Sequence, residues 1–235
     1  MNLLIITQRL DKNDENLGSF YYWFEEFAKR FEKVAVIASS VGEENLPGNV
    51  SIYSLGKEKG YGKTRRIFNF FLIFSRNYFK SDIVFFHMIP EFVIAALPFF
   101  LFSRKKLALW YAHKSVTWKL RLAEKLVDHI FASSESGFLL PSKKVVFTGQ
   151  AINTEMFYPT SRIESKKLRF LYIGRIAPVK NIARAVEALG MLEKSSWSRE
   201  WSFSIVGGPL LKEDYKYHDF LKDLVFYIYF VWRSL

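Results

Sequence analysis

The chain has 235 residues, half of them hydrophobic, and its 34 Lys and Arg outweigh 23 Asp and Glu to give a net charge of +11. That much apolar material supports a packed core in more than one ordinary domain and excludes fibrous and disordered classes. The lack of cysteine excludes a disulfide framework and thiolate metal sites, while the positive balance implies an anionic partner: nucleic acid, a phosphorylated substrate or an anionic membrane surface.

Met1-Asn-Leu-Leu-Ile-Ile-Thr7 has too short an apolar run, and no basic lead, for a signal peptide; Leu3 to Thr7 is a first strand. A polar loop follows, and Gly18 opens an aromatic-rich helix to about Arg30. Lys33 to Ala38 and Val50 to Leu55 give a second and third strand, separated by the turn-rich segment Gly42 to Asn49. Strands alternating with helices predict an α/β fold with a parallel sheet.

Between Lys57 and Lys80 seven cations stand against one acid, Glu58, around a phenylalanine-rich helix. Ile67, Phe70, Phe71, Phe74 and Tyr78 have helical spacing, and Phe68, Leu72 and Phe79 widen the stripe beyond one packed face. Two readings stand: a core helix with a solvated basic end, or an interfacial helix in which Lys63, Arg65, Arg66, Phe70, Phe71 and Phe74 meet an anionic membrane. Asp82 to His87 is the fourth strand. Ile89 to Phe102 is shorter than the roughly 20 residues of a spanning helix, contains Glu91 and Pro98, and is expected to be a buried helix. Lys106 to Ala112 forms a fifth strand with His113 directly after it, and a basic amphipathic helix runs from about Thr117 to Val127. His87 and His113 both fall at C-terminal strand ends, where ligands gather in open α/β sheets; His87 reads first as structural, and His113 is the better candidate, with a plain surface-loop histidine as its alternative. His129 is a strand-edge residue.

The most informative stretch is Leu168 to Leu189. It combines an apolar strand expected to be covered on both faces, Gly174 at the turn, and a helix from Asn181, with Arg175 and Lys180 flanking the bend. A helix N-terminus carries unpaired N–H groups and partial positive charge, so a guanidinium and an ammonium beside it make a cradle for a diphosphate. Phe203-Ser-Ile-Val-Gly-Gly-Pro209 repeats the pattern of strand and glycine turn, with Gly207 and Gly208 at the bend.

Tyr172-Ile-Gly-Arg-Ile-Ala-Pro-Val-Lys-Asn181 resembles the signature that opens the C-terminal domain of family 4 glycosyltransferases, which are retaining enzymes with two facing Rossmann-like domains, the GT-B fold. Phe203 to Pro209, Asp128 to Gly137 and Lys144 to Pro159 resemble that family's later and earlier strand-turn segments in the right order. The resemblance implies a complete N-terminal Rossmann-like domain over residues 1–159, a linker over 160–167 and the beginning of a second such domain over 168–235. It implies that Arg175 and Lys180 hold the diphosphate of a nucleotide-sugar donor and that His113 contacts the donor sugar, these three forming the catalytic set. Gly18, Gly174, Gly207 and Gly208 would approach the donor, with Leu17-Gly18 standing where many members carry Gly-Gly, and Gln150-Ala151 where Asn-Gly is usual. No metal is implied and no cofactor beyond the nucleotide-sugar substrate. The acceptor would be a glycan or lipid-linked glycan, in the cytoplasm or at the inner face of the cell membrane.

In that family the paired glutamates that hold the ribose lie downstream of the second glycine turn, and no residue here is assignable to them. A truncated second domain is therefore expected. Val225 to Leu235 would be either an edge strand or a tail produced by loss of the reading frame. The competing reading is a catalytically inactive remnant that binds only an acceptor or a membrane. Nucleic-acid binding is disfavoured by the lack of a helix-turn-helix or stacking motif, and a nicotinamide enzyme by the lack of Gly-x-Gly-x-x-Gly after the first strand.

Overall fold

The computed structural model describes residues 1–14, 17–155, 157–159, 167–193 and 200–226; the expected linker, apart from Lys167, and tail residues 227–235 lie outside them. The chain forms two compact units, Met1–Tyr158 and Pro159–Leu235.

The first unit alternates strand and helix: β1 (Asn2–Leu10), α1 (Gly18–Arg30), β2 (Lys33–Val41), β3 (Val50–Ser54), α2 (Lys63–Tyr78), β4 (Ile83–His87), α3 (Pro90–Ala95), α4 (Leu97–Phe100), β5 (Lys106–Trp110), α5 (Trp118–Leu126), β6 (His129–Ala132) and β7 (Val145–Phe147). Its strands make one seven-stranded sheet in the order β3-β2-β1-β4-β5-β6-β7, parallel throughout. The unbroken apolar run of β1 follows from burial on both faces. Leu3 and Ile5 join the core under α1 with Tyr21 and Phe24, whereas Leu4 and Ile6 join the opposite core with Phe70, Phe74 and Val93. The order of the strands changes direction at β1 and β4, which places their C-terminal ends at the point where open α/β sheets bind ligands.

Two expectations fail here. Phe70 and Phe74 are 2 % and 0 % exposed in the core cluster, so they cannot face a membrane. They form the inward ridge of α2, leaving Phe71 at the edge and Lys63 and Arg65 exposed. The helix expected over Ile89 to Phe102 breaks at Ala96 into α3 and α4. Pro98 has no N–H to continue the ladder, and the chain then turns outward so that Leu101 and Phe102 are about 80 % exposed. By contrast α5 starts as its sequence suggests, Thr117 accepting a hydrogen bond from the Leu120 N–H at its N-cap. No helix among the described residues is long and apolar enough to cross a membrane.

The second unit pairs β8 (Leu168–Ile173) with β9 (Trp201–Val206) in parallel register and adds α6 (Ile182–Glu193) and α7 (Lys212–Phe226). Ile176, Ile182, Val186, Phe203, Ile205 and Leu221 form its core. Both helices pack against the face that carries Phe170 and Tyr172. The expectation of cover on both faces of β8 is therefore not met, since Leu171 and Ile173 are 60 % and 72 % exposed. The first two residues of the run expected as an edge strand, Val225 and Phe226, end α7 instead.

Candidate active site

In the second unit the two glycine turns meet. Gly174 and Gly207 follow the ends of neighbouring parallel strands, with φ of 148° and 137°. A Cβ on Gly207 would lie 2.0 Å from the Gly174 carbonyl oxygen. Two backbone bonds lace the turns together, Gly174 N–H to the Val206 carbonyl and Ile176 N–H to the Gly208 carbonyl, each 2.9 Å. The turns stand at the C-terminal ends of parallel strands, where open α/β sheets bind ligands, and at Gly208 an added Cβ would meet nothing within 4 Å.

The helix does not begin where the sequence suggests. A short 3-10 turn, Pro178–Lys180, follows the bend, Asn181 takes a left-handed conformation (φ 52°), and α6 starts at Ile182. The first-turn N–H groups are partly used: that of Ala183 donates to the Tyr217 hydroxyl at 2.9 Å and that of Arg184 to the Asn181 carbonyl. The helix terminus thus contributes less to a cradle than the glycine turns do.

Arg175 forms an ion pair: its Nε lies 3.6 Å from Oδ2 of Asp214, a carboxylate only 1 % exposed, but makes no hydrogen bond, while its backbone carbonyl accepts from the Tyr172 hydroxyl at 2.9 Å. Asp214 also accepts the Leu210 and Leu211 N–H groups at the start of α7, which makes it a capping residue as well as the counter-charge of the guanidinium. Lys180 stands exposed on the 3-10 turn. Sequence reasoning misses Asp214; an acid in the first turn of the charged stretch after Pro209 is the signal available, and it indicates a helix start without naming a partner 39 positions upstream.

In the first unit, His113 is exposed beyond the end of β5. Its Nδ1 accepts the Ser115 N–H at 3.0 Å, so in the neutral ring the proton sits on Nε2, which becomes the donor. Gly18 lines an open cleft of about 670 Å³ with Asn13, Ser19, Trp23, Ile152 and Phe157. Its bareness has a local cause, since a Cβ there would lie 2.9 Å from the Lys12 carbonyl oxygen.

His87 is a different kind of histidine. It is 1 % exposed, its Nδ1 lies 3.1 Å from the Thr7 hydroxyl, its Nε2 has no partner, and the Phe20 and Trp23 rings pack on it. Burial pushes its pKa down from 6.5 to about 4. The folded chain therefore binds fewer protons than the unfolded chain below pH 6.5, and stability must fall as pH drops from 6.5 toward 4. We expect a loss of about 1.5 kcal/mol between pH 6.5 and pH 5 in urea unfolding, largely absent in His87→Phe.

No protein-family model and no curated protein matches this sequence. Solved structures do. The chain is similar over its full length to "Trehalose-6-phosphate from E. coli bound with UDP-2-fluoro glucose", at 9 % identity, a TM-score of 0.67 and 73 % cover of that protein. It is similar to TarM at 7 % identity and 0.67, over 99 % of this chain and 76 % of that one. WaaG, a glycosyltransferase involved in lipopolysaccharide biosynthesis, follows at 13 % identity and 0.56, over 99 % and 70 %. The UDP-GlcNAc 2-epimerase of Methanocaldococcus jannaschii shares the arrangement at 12 % and 0.56. The fold is therefore the Rossmann-like α/β GT-B fold of such proteins.

Proposed function

We propose that this chain is a glycosyltransferase that takes a nucleotide-diphosphate sugar as donor. The observation that carries the reading is the contact between the Gly174 and Gly207 turns at the ends of β8 and β9, with Arg175 in an ion pair with a buried Asp at the same bend. Backbone left bare at Gly208, where an added Cβ would meet nothing within 4 Å, admits a diphosphate closely. Arg175 and Lys180 supply the positive charge that stabilises it as it departs. The family 4 resemblance adds retention at the anomeric carbon, contact of His113 with the donor sugar, and a glycan or lipid-linked acceptor.

The solved proteins support the same class: one of them is bound to UDP-2-fluoro glucose and another is a glycosyltransferase by its own description. An epimerase of a nucleotide sugar shares the fold, so product analysis has to accompany binding. The test is calorimetric titration of the 235-residue protein with UDP, GDP, ADP and dTDP, followed by NMR of the matching nucleotide sugar. Saturable binding of one nucleoside diphosphate, with sugar released or transferred, supports the proposal. No binding by any of the four overturns it, and a C2-epimerised nucleotide sugar replaces it with the epimerase reading.

A further inference from the structure

His113 stands at the middle of a loop, Tyr111 to Ser115, that is closed by the side chain of its own first residue. Tyr111 follows the end of β5, where its N–H donates to the Phe131 carbonyl at 3.0 Å, and its hydroxyl reaches forward to donate to the Ser115 carbonyl at 3.1 Å. Ser115 in turn donates its N–H to Nδ1 of His113 at 3.0 Å. One residue thus carries both the acceptor for the tyrosine and the donor for the histidine. The Tyr111 and His113 rings also meet edge to face, with centroids 6.4 Å apart. Between them in the chain, the Ala112 N–H donates to the Met88 sulfur at 3.3 Å.

The tyrosine is a fixed post. It is 7 % exposed, in the core cluster that holds Val93 and Leu109, and the Phe138 ring packs on it edge to face at 6.2 Å. Burial first, and the Glu91 carboxylate second, push its phenol above the ordinary pKa of 10.0, so the hydroxyl stays a donor at neutral pH. A buried tyrosine needs some acceptor for its O–H; using Ser115 couples that need to the histidine. The hydrogen bond made at one ring nitrogen decides which tautomer a neutral imidazole adopts. Holding the Ser115 amide therefore holds Nε2–H as the donor of His113.

We propose that Tyr111 is the positioning residue of His113, fixing the orientation and tautomer of the ring through Ser115. The inference rests on the reading of His113 as a contact of the donor sugar, and it deepens that reading: an Nε2–H donor recognises an acceptor oxygen on the sugar, a hydroxyl or a carboxylate. Tyr111 itself touches no substrate. Its loss should slow turnover and leave capture of the nucleoside diphosphate, which falls to Arg175 and Lys180, unchanged.

The test is NMR of the full chain carrying isotope-labelled histidine and serine, at about pH 8.5, where imidazole is neutral, with His113→Gln assigning the ring signals. In the parent, Nδ1 of His113 should couple across the hydrogen bond to the Ser115 amide proton. Tyr111→Phe keeps the ring and removes only the hydroxyl. It should speed exchange of the Ser115 amide by about fivefold, the worth of one hydrogen bond, and move the His113 signals toward the tautomer mixture of free histidine. With the nucleotide sugar that the parent turns over, it should lower kcat about fivefold at constant KM and constant nucleoside diphosphate affinity. Absence of the Ser115 to His113 coupling in the parent overturns the proposal. So do unchanged ring and amide signals in Tyr111→Phe, or a loss of nucleoside diphosphate affinity equal to the loss in kcat. A parent that binds no nucleoside diphosphate overturns the donor reading alone, and the ring signals still decide whether Tyr111 sets His113.

Discussion

Replacing Gly207 by alanine should destabilise the second unit by roughly 3 kcal/mol or more, read as loss of the helical signal of α6 and α7 at lower urea than in the parent. Two costs combine. The backbone at Gly207 sits at φ 137°, a region where an L side chain is strained. The new methyl would also lie 2.0 Å from the Gly174 carbonyl oxygen and 2.9 Å from its carbon. Those atoms are backbone, pinned by the bond from Gly174 N–H to Val206, so no side chain can swing aside to make room. Relief would require the β8 and β9 turns to separate. Gly208→Ala is the matched control: a methyl there would have nothing within 4 Å, and its effect should stay within about 0.5 kcal/mol. Equal effects at the two positions would mean that the turns do not touch.

The same pair of glycines shows what a sequence can and cannot disclose. Each turn is legible alone, as Gly after an apolar strand, and the strand-helix alternation of the first unit is legible because β1, β4 and β5 are apolar runs bounded by turn residues. Their contact is not a local property, nor is the pairing of Arg175 with Asp214. Periodicity predicts α2 as a helix but assigns too many of its aromatics to one surface. The face is set by what lies beneath it, and α3 and α4 supply that: Phe92 stacks on Phe70 and Phe99 packs on Phe74. Pro98 reads as an obstacle to a membrane span, yet its consequence for Leu101 and Phe102 depends on where the broken helix turns. His87 falls at a strand end from sequence, and only burial separates it from the exposed His113.

Arg175→Ala should weaken nucleoside diphosphate binding by about 10- to 100-fold, the range expected from losing charge-assisted hydrogen bonds worth about 1.5–3 kcal/mol. Asp214 makes the prediction sharper, because its two conceivable effects have opposite signs. A carboxylate that merely offsets the guanidinium would compete with the ligand, and its removal would tighten binding. A carboxylate that holds the guanidinium in place would, on removal, release the side chain to solvent and weaken binding. The structure favours the second: Asp214 is buried, fixed by the Leu210 and Leu211 N–H groups, and pairs in charge with Arg175 at 3.6 Å from its Nε, a buried nitrogen with no hydrogen bond of its own. Pairing at Nε leaves the forked end of the guanidinium for a diphosphate, which is the geometry that bidentate recognition needs. Asp214→Asn retains an acceptor for the capping N–H groups while removing the charge, so it should fold and bind about tenfold more weakly. In the Arg175→Ala background the same change should cost almost nothing further, and calorimetry of the four proteins closes the cycle. Tighter binding by Asp214→Asn, or full additivity of the two losses, would show that Asp214 serves α7 alone and does not position the arginine.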